Sequence, residues 1–191
     1  MLSIHEHFLS AARLLETAAA GSLGARVDAA VDLVARALSA RRPLLVCGNG
    51  GSAADSQHIT GELVGRFMKE RAALKCICLS SNPATLTAWS NDYSYDTVFS
   101  RQVEAYAEPG GVLWGLSTSG NSRNVVEAFE VAKKLGMSTL AMTGEGGGKL
   151  AALSDVLLDV PSRRTPDIQQ VHLVLYHYIC EAVEARCANA A

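Results

Sequence analysis

The sequence predicts a doubly wound α/β fold: a five-stranded parallel sheet in the order 2-1-3-4-5, helices on both faces, and two further helices ahead of it. Three observations carry this. Short apolar runs alternate with longer helical stretches, the pattern of parallel strands joined by right-handed crossovers. Five such runs are too few for a closed eight-stranded barrel. Glycine- and serine-rich turns follow the first and third runs, and ligands of open sheets sit beyond the carboxyl ends of the strands, where the strand order reverses. Strands one and three are neighbours across that reversal, so both turns line one crevice of a flavodoxin-like three-layer sandwich.

Taken in order, residues 3–19 and 25–40 are helical and separated by Gly21-Ser22-Leu23-Gly24. In the second, Val27, Val31, Val34 and Leu38 form an apolar stripe at helical spacing. Helices that precede a self-sufficient sheet need a surface to pack on, either the domain itself or a partner subunit, and of the two an oligomer interface is expected. The first strand, 44–47, leads through Gly48-Asn49-Gly50-Gly51 into a helix that opens at Ser52 and runs to about 68. Residues 75–80 are the second strand. Asn82-Pro83 is a cap followed by proline at the first helical position, starting a short helix to 89; a polar loop over 90–93 leads to a helix over 97–107. Pro109-Gly110-Gly111 turns the chain into strand 112–116. Ser117-Thr118-Ser119-Gly120-Asn121-Ser122 then opens a helix that stops at Gly136, a left-handed cap position. Strand 138–142, a glycine-rich loop over 144–148, a short helix near Leu150, strand 156–160 and a long helix over 167–186 complete the chain.

The whole is organised around the unit LLVCGNGGSAADSQHITGE, residues 44–62. Its glycines let the backbone take positive φ and approach a ligand. A serine beside the free N–H groups of a helix start makes an anion site. His58 and Glu62 stand four apart on that helix and share a face. The second turn, STSGNS, again sets hydroxyls and a glycine at a helix start, and such a nest holds a phosphate without any lysine. Two such turns at one crevice point to a phosphate monoester on a small ligand. A dinucleotide reading of Gly48-Asn-Gly50-Gly-Ser-Ala53 fails because Ser80-Ser81-Asn82 stands where an acidic residue would hold the ribose, and no Lys follows the glycines as a nucleotide-triphosphate loop requires.

On the last helix, Gln169 and His177 are eight positions apart, about 80° in direction and about 12 Å in rise, so they flank one small ligand only by leaning toward each other. His172 between them is expected to be a core residue, and His5 and His7 surface residues. The spacing of His58 and Glu62 alone does not single out a metal. With 191 residues, 49% hydrophobic and 19% charged, the chain suits one domain with a sizeable core. A net charge of -2 leaves no basic footprint for nucleic acid or an anionic membrane. No apolar run is long enough to span a bilayer, and MLSIHEHFLS has His and Glu where a signal peptide needs basic then apolar residues. The five cysteines lie in apolar contexts, and Cys76-Ile-Cys78 lacks the further ligands of a metal site. Free core thiols and a reducing, cytoplasmic compartment follow.

CGNGGSAADSQH with Glu62, Asn91-Asp92, STSGNS and TPDIQQVHLVLYH resemble the phosphoheptose isomerases of the sugar-isomerase (SIS) family, in order and over the whole chain. The resemblance implies a single SIS domain over 1–191, with an oligomerisation segment over 1–40 and a sugar-phosphate-binding core over 41–191. It implies an aldose–ketose isomerase that converts D-sedoheptulose 7-phosphate to D-glycero-D-manno-heptose 7-phosphate, a cytoplasmic homotetramer feeding heptose synthesis for the cell envelope. By position, Asn49, Gly50, Gly51 and Ser52 match the first substrate loop, Ser117, Thr118, Ser119 and Ser122 the phosphate loop, and Asn91 with Asp92 the sugar-contacting pair. His58, Glu62, Gln169 and His177 match the four positions that bind one zinc ion per subunit in metal-containing members, with Gln169 also at the substrate. Glu62 and His177 match the residues given acid–base roles, and no organic cofactor is implied. The chain departs from the pattern at Asp167, where members carry a basic residue, and at Gln170, where glutamate is common. Two alternatives lie within the same fold: an isomerase of another sugar phosphate or another heptose pathway, and a non-catalytic scaffold that binds a replication initiator. In the scaffold branch the positions of Glu62 and His177 are non-catalytic polar residues, whereas here both are intact.

Overall fold

Alternation along the strands sets the architecture. In β1 (Leu44–Gly48), Leu44 and Val46 join one buried cluster, while Leu45 and Cys47 join another on the opposite face, because successive strand residues point to opposite sides. The same split recurs in β3 (Val112–Ser117), where Trp114 and Leu116 face one way and Leu113 the other. With β2 (Cys76–Cys78), β4 (Ser138–Thr143) and β5 (Val156–Asp159), these strands form a sheet in the order β2-β1-β3-β4-β5. Every neighbouring pair is parallel, with Val46 opposite Trp114 and Leu116 opposite Met142. This is the order and class the sequence predicts. The coordinates come from a computed structural model that describes residues 3–188, so positions 1–2 and 189–191 of the expected domain lie outside the described residues.

Helices α2 (Leu23–Ser39), α3 (Gly51–Val64) and α7 (Thr165–Ala188) cover one face, and α5 (Val98–Tyr106) and α6 (Arg123–Lys134) the other. Helix α4 (Pro83–Asp92) leans on the second cluster through Leu86 and Trp89. The stripe of Val27, Val31, Val34 and Leu38 on α2 is buried within the chain, in the core shared with the sheet and α7, rather than reserved for a partner. Helix α1 (Ile4–Ala20) buries only Ala18 and exposes Ile4, Phe8, Leu9 and Leu15. It is held at its start by a reciprocal cap between Ser3 and Glu6.

Several boundaries differ from expectation for identifiable reasons. Helix α3 ends at Val64, not near 68, because the Glu184 carboxylate takes the N–H groups of Phe67, Met68 and Lys69 at 2.8, 2.6 and 2.8 Å. Arg71, buried against Glu184, caps the freed carbonyls of Glu62 and Gly65. Burial pushes the Glu184 carboxyl up, yet those three donors and the guanidinium bring it below the ordinary carboxylate range. Strand β2 is only three residues long. Beyond it, the Ser80 hydroxyl donates to the Gly48 carbonyl at 2.9 Å, tying the ends of β1 and β2 together. Helix α4 continues to Asp92, so Asn91 and Asp92 end a helix instead of lying in a loop.

All five cysteines are buried and free, and burial pushes the thiols of Cys47 and Cys180 far above their ordinary value. His5 is exposed, but His7 is only partly so and accepts from the Gln170 amide at 3.3 Å. His172 is a core residue as expected, fully buried with Nε2 donating to the Thr143 carbonyl at 3.1 Å and Nδ1 unpartnered.

Burial lowers the His172 pKa from 6.5 to about 4. The folded protein therefore holds this imidazole neutral where the unfolded chain protonates it. The resulting stability is fully present above pH 6.5 and is lost as pH falls toward 4, on the order of 3 kcal/mol over that window. Denaturant midpoints measured across it should show this slope in the wild type, and His172→Asn should flatten it; an unchanged slope would assign the loss to other groups.

Candidate active site

Three helix N-termini meet at the carboxyl ends of β1 and β3. After β1 the chain turns at Gly50, whose φ of +56° favours glycine, and α3 begins one residue earlier than predicted, at Gly51. The N–H groups of Ser52, Ala53 and Ala54 bond to the carbonyls of Asn49 and Gly50, so the amides of Gly50 and Gly51 precede the first turn's internal bonds. After β3, the turn 117–122 is held by its own side chains. Ser117 and Ser122 pair hydroxyl to hydroxyl at 2.8 Å, and the Ser119 hydroxyl accepts from the Asn121 N–H at 3.1 Å. Gly120 takes a φ of +65° and lies against the backbone of Gly147 so closely that a Cβ could not be accommodated. Asn121 fastens this turn to the 144–150 loop, donating to the Ser119 carbonyl at 2.8 Å and accepting from the Lys149 N–H at 3.1 Å.

The third N-terminus is that of α7. Thr165 Oγ1 lies 3.4 Å from Thr118 Oγ1, and the carboxamide of Gln169 stands directly against Gly51. Each helix brings a partial positive charge of about half an elementary unit at its start. The crevice thus favours an anion without a basic side chain in either serine-rich turn. Asn91 and Asp92 lie at the end of α4, the Asn91 amide donating to the Asp92 carboxylate at 2.9 Å. That segment reaches the crevice three residues later, where the Tyr95 hydroxyl donates to Asn49 Oδ1 at 2.7 Å.

Two turns further along α3 is a cluster of different chemistry. Helices α3 and α7 run side by side in the same direction: Gln169 meets Gly51, Tyr176 meets His58, and Glu184 meets Phe67. His58, Glu62 and His177 accordingly converge, with one ligand atom of each lying within 4.8 Å of the others. His58 Nε2 is 3.0 Å from Glu62 Oε1. Its Nδ1 is 2.9 Å from the hydroxyl of buried Tyr176, which in turn donates to Asp55 at 3.4 Å. Burial pushes Tyr176 well above its ordinary value and raises Asp55 as well. Phe67 and His58 pack on the His177 ring at 5.8 and 5.0 Å between centroids.

A zinc site needs ligand atoms that can close to about 3.4 Å of one another, from bond lengths near 2.1 Å in a tetrahedron. Two imidazoles and a carboxylate are a donor set that fits zinc, and their ligand atoms, within 4.8 Å of one another, would draw in on binding. The second nitrogen of His58 already has an outer partner of the kind that orients a metal-binding histidine. The separation that the sequence predicts between Gln169 and His177 persists: Gln169 lies at the start of α3 and His177 at the cluster. Tyr95, Asn124 and Tyr176 are among the residues at the crevice or cluster that the sequence does not single out. Each acts through a hydrogen bond across 46, 75 or 118 positions of chain, and no local pattern marks such pairs.

Residues 7–144 match the SIS domain family. The chain is 58% identical over 156 residues to a phosphoheptose isomerase of Crocosphaera subtropica, covering 82% of this chain and 80% of that one. Among solved structures, it is similar to phosphoheptose isomerase from Neisseria gonorrhoeae, with 41% identity and a TM-score of 0.89 over 95% of this chain and 97% of that one. It is also similar to a phosphoheptose isomerase from Francisella tularensis, at 33% identity and a TM-score of 0.91, covering 95% and 96%.

Proposed function

Because this chain belongs to the phosphoheptose isomerases of the SIS domain family, we propose that it converts D-sedoheptulose 7-phosphate to D-glycero-D-manno-heptose 7-phosphate, the first step of heptose synthesis for the lipopolysaccharide core. The observation that carries this reading is the placement of an anion crevice at one end of α3 and an acid–base cluster two turns along it. A phosphate held by Ser52, Ser119 and Ser122, with Asn49, Gly50, Gly51, Ser117 and Thr118 around it, leaves a seven-carbon sugar long enough to bring its carbonyl end to Glu62. Asn91, Asp92 and Gln169 meet the hydroxyls in between.

Moving the carbonyl from C2 to C1 transfers one proton from C1 to C2 and another from O1 to O2. Glu62 removes the C1 proton, giving an enediol, and returns it at C2; a partly buried carboxylate is suited to this because it is less well hydrated. His177 moves the proton between the two oxygens. Zinc would be held by His58, Glu62 and His177 and would act as a Lewis acid on the carbonyl; Gln169, the fourth residue of the set, would have to swing from Gly51 toward the cluster to join them. Phe67 and Tyr176, packed on His177, limit water at that end.

The same reading makes it a cytoplasmic enzyme with no nucleic-acid or membrane partner, supported by the buried free thiols. No described helix is long and apolar enough to cross a membrane. A homotetramer is supported by apolar side chains left uncovered on α1 (Ile4, Phe8) and α7 (Leu173, Val174, Tyr178). Sedimentation equilibrium should give four chain masses, and a fully active monomer would contradict it. The activity itself is tested by turnover of sedoheptulose 7-phosphate, fructose 6-phosphate, ribulose 5-phosphate and unphosphorylated sedoheptulose. The first should be strongly preferred. Comparable turnover of the unphosphorylated sugar would remove the phosphate assignment, and preference for a shorter sugar would replace the substrate.

A further inference from the structure

One amide ties together three segments at the crevice: the turn after β1, the start of α6 and the turn that follows α4. Asn49 and Asn124 exchange two hydrogen bonds, each amide nitrogen donating to the other's oxygen at 2.9 Å. Asn124 is buried on the first turn of α6, two residues after the second turn's Ser122. The Tyr95 hydroxyl, from the short 3-10 turn Tyr95–Thr97 that follows α4, donates to the same Asn49 oxygen at 2.7 Å. A second tie joins that turn to α6, through Arg123 and Asp96 at 3.4 Å.

These bonds settle what Asn49 can offer a ligand. A carboxamide oxygen has two lone pairs and the nitrogen two N–H groups. Both lone pairs are taken, by Asn124 and Tyr95, and one N–H is used on Asn124. What remains is a single donor, which suits an acceptor such as a phosphate oxygen rather than a hydroxyl proton. The reciprocal amide pair also fixes the distance between the turn after β1 and the start of α6. Since Ser119 and Ser122 belong to the second turn and Gly50 to Ser52 to the first, that distance is the width of the anion crevice.

We propose that Asn124 and Tyr95 are positioning residues of the crevice: they hold Asn49 as a donor to a ligand oxygen and set the gap between turns 49–52 and 117–122. This rests on the phosphate-binding reading above. Neither residue is assigned contact with the reacting carbons, so their loss should weaken binding of the phosphate end and leave the chemistry at Glu62 largely intact. Such uniform binding loss raises KM with little change in kcat.

The test is a mutant cycle. Tyr95→Phe removes only the hydroxyl of a half-exposed side chain and should raise KM for sedoheptulose 7-phosphate about two- to tenfold, the worth of one neutral hydrogen bond, with kcat within about twofold. Asn124→Ala should raise KM about tenfold or more because it strips both bonds that Asn124 shares with Asn49. In an Asn49→Ala background, Tyr95→Phe should add nothing, since its only proposed action is through that amide. Dissociation constants for inorganic phosphate, measured by calorimetry on the same variants, should follow the same pattern. A wild-type KM and phosphate affinity in Tyr95→Phe, or a full further effect in the Asn49→Ala background, overturns the positioning role. If the phosphate affinities follow the pattern but no variant, nor the wild type, isomerises sedoheptulose 7-phosphate, positioning stands and the substrate reading fails.

Discussion

Glu62→Gln is expected to lower kcat by about 10²–10⁴, the range for removing a general base. The substitution keeps the size of the side chain and much of its hydrogen bonding, including an oxygen toward His58 Nε2, 3.0 Å away in the native cluster. What it removes is the ability to accept a proton at neutral pH. Glu62 lies on α3, whose end is fixed independently by Arg71 and Glu184, so the fold should be retained. The serine-rich turns lie two turns and more away along α3, and affinity for the substrate phosphate should persist. A Glu62→Gln enzyme with wild-type kcat would move the base elsewhere in the cluster.

Removal of metal is expected to have a comparable effect. On the proposal that His58, Glu62 and His177 hold the ion, exhaustive treatment with a strong chelator should lower turnover about 10²-fold or more, since polarisation of a carbonyl by a metal contributes several kcal/mol. Zinc added back should restore it. Thermal midpoints give a readout apart from catalysis: a bound ion stabilises the folded chain by mass action, so chelation should lower the midpoint of the wild type but not that of His58→Ala. Turnover and midpoint both indifferent to chelation, with no metal by elemental analysis, would leave the three residues with acid–base and binding roles alone.

The features legible in the sequence were those written in local periods. Strand alternation, the α2 stripe, the proline after Asn82 and the left-handed glycine at 136 each act within a few residues, and each is found where expected. The serine-rich turns were legible because a glycine-rich bend, hydroxyls and a helix start sit together in the chain. What escaped was set by residues distant in sequence. Helix α3 stops early because Glu184, more than a hundred positions later, takes the N–H groups that would have continued it. Of the two surfaces open to the leading helices, the domain and a partner, the α2 stripe takes the first, packing on α7 and the sheet of its own chain. Asn124 and Tyr95 carry no motif, and their place at the crevice depends on the register between α6, the 95–97 turn and β1. The distance between Gln169 and His177, by contrast, follows from helix geometry alone and survives folding.

Catalysis through Glu62 is tested most directly at the proton itself. Sedoheptulose 7-phosphate in deuterated water, followed by NMR, should lose one C1 proton to solvent in the presence of the wild-type enzyme, because the abstracted proton exchanges while the enediol persists. The same experiment with Glu62→Gln should show exchange slowed by about the same 10²–10⁴ as turnover. Exchange at the wild-type rate in Glu62→Gln would contradict the assignment of Glu62 as the base.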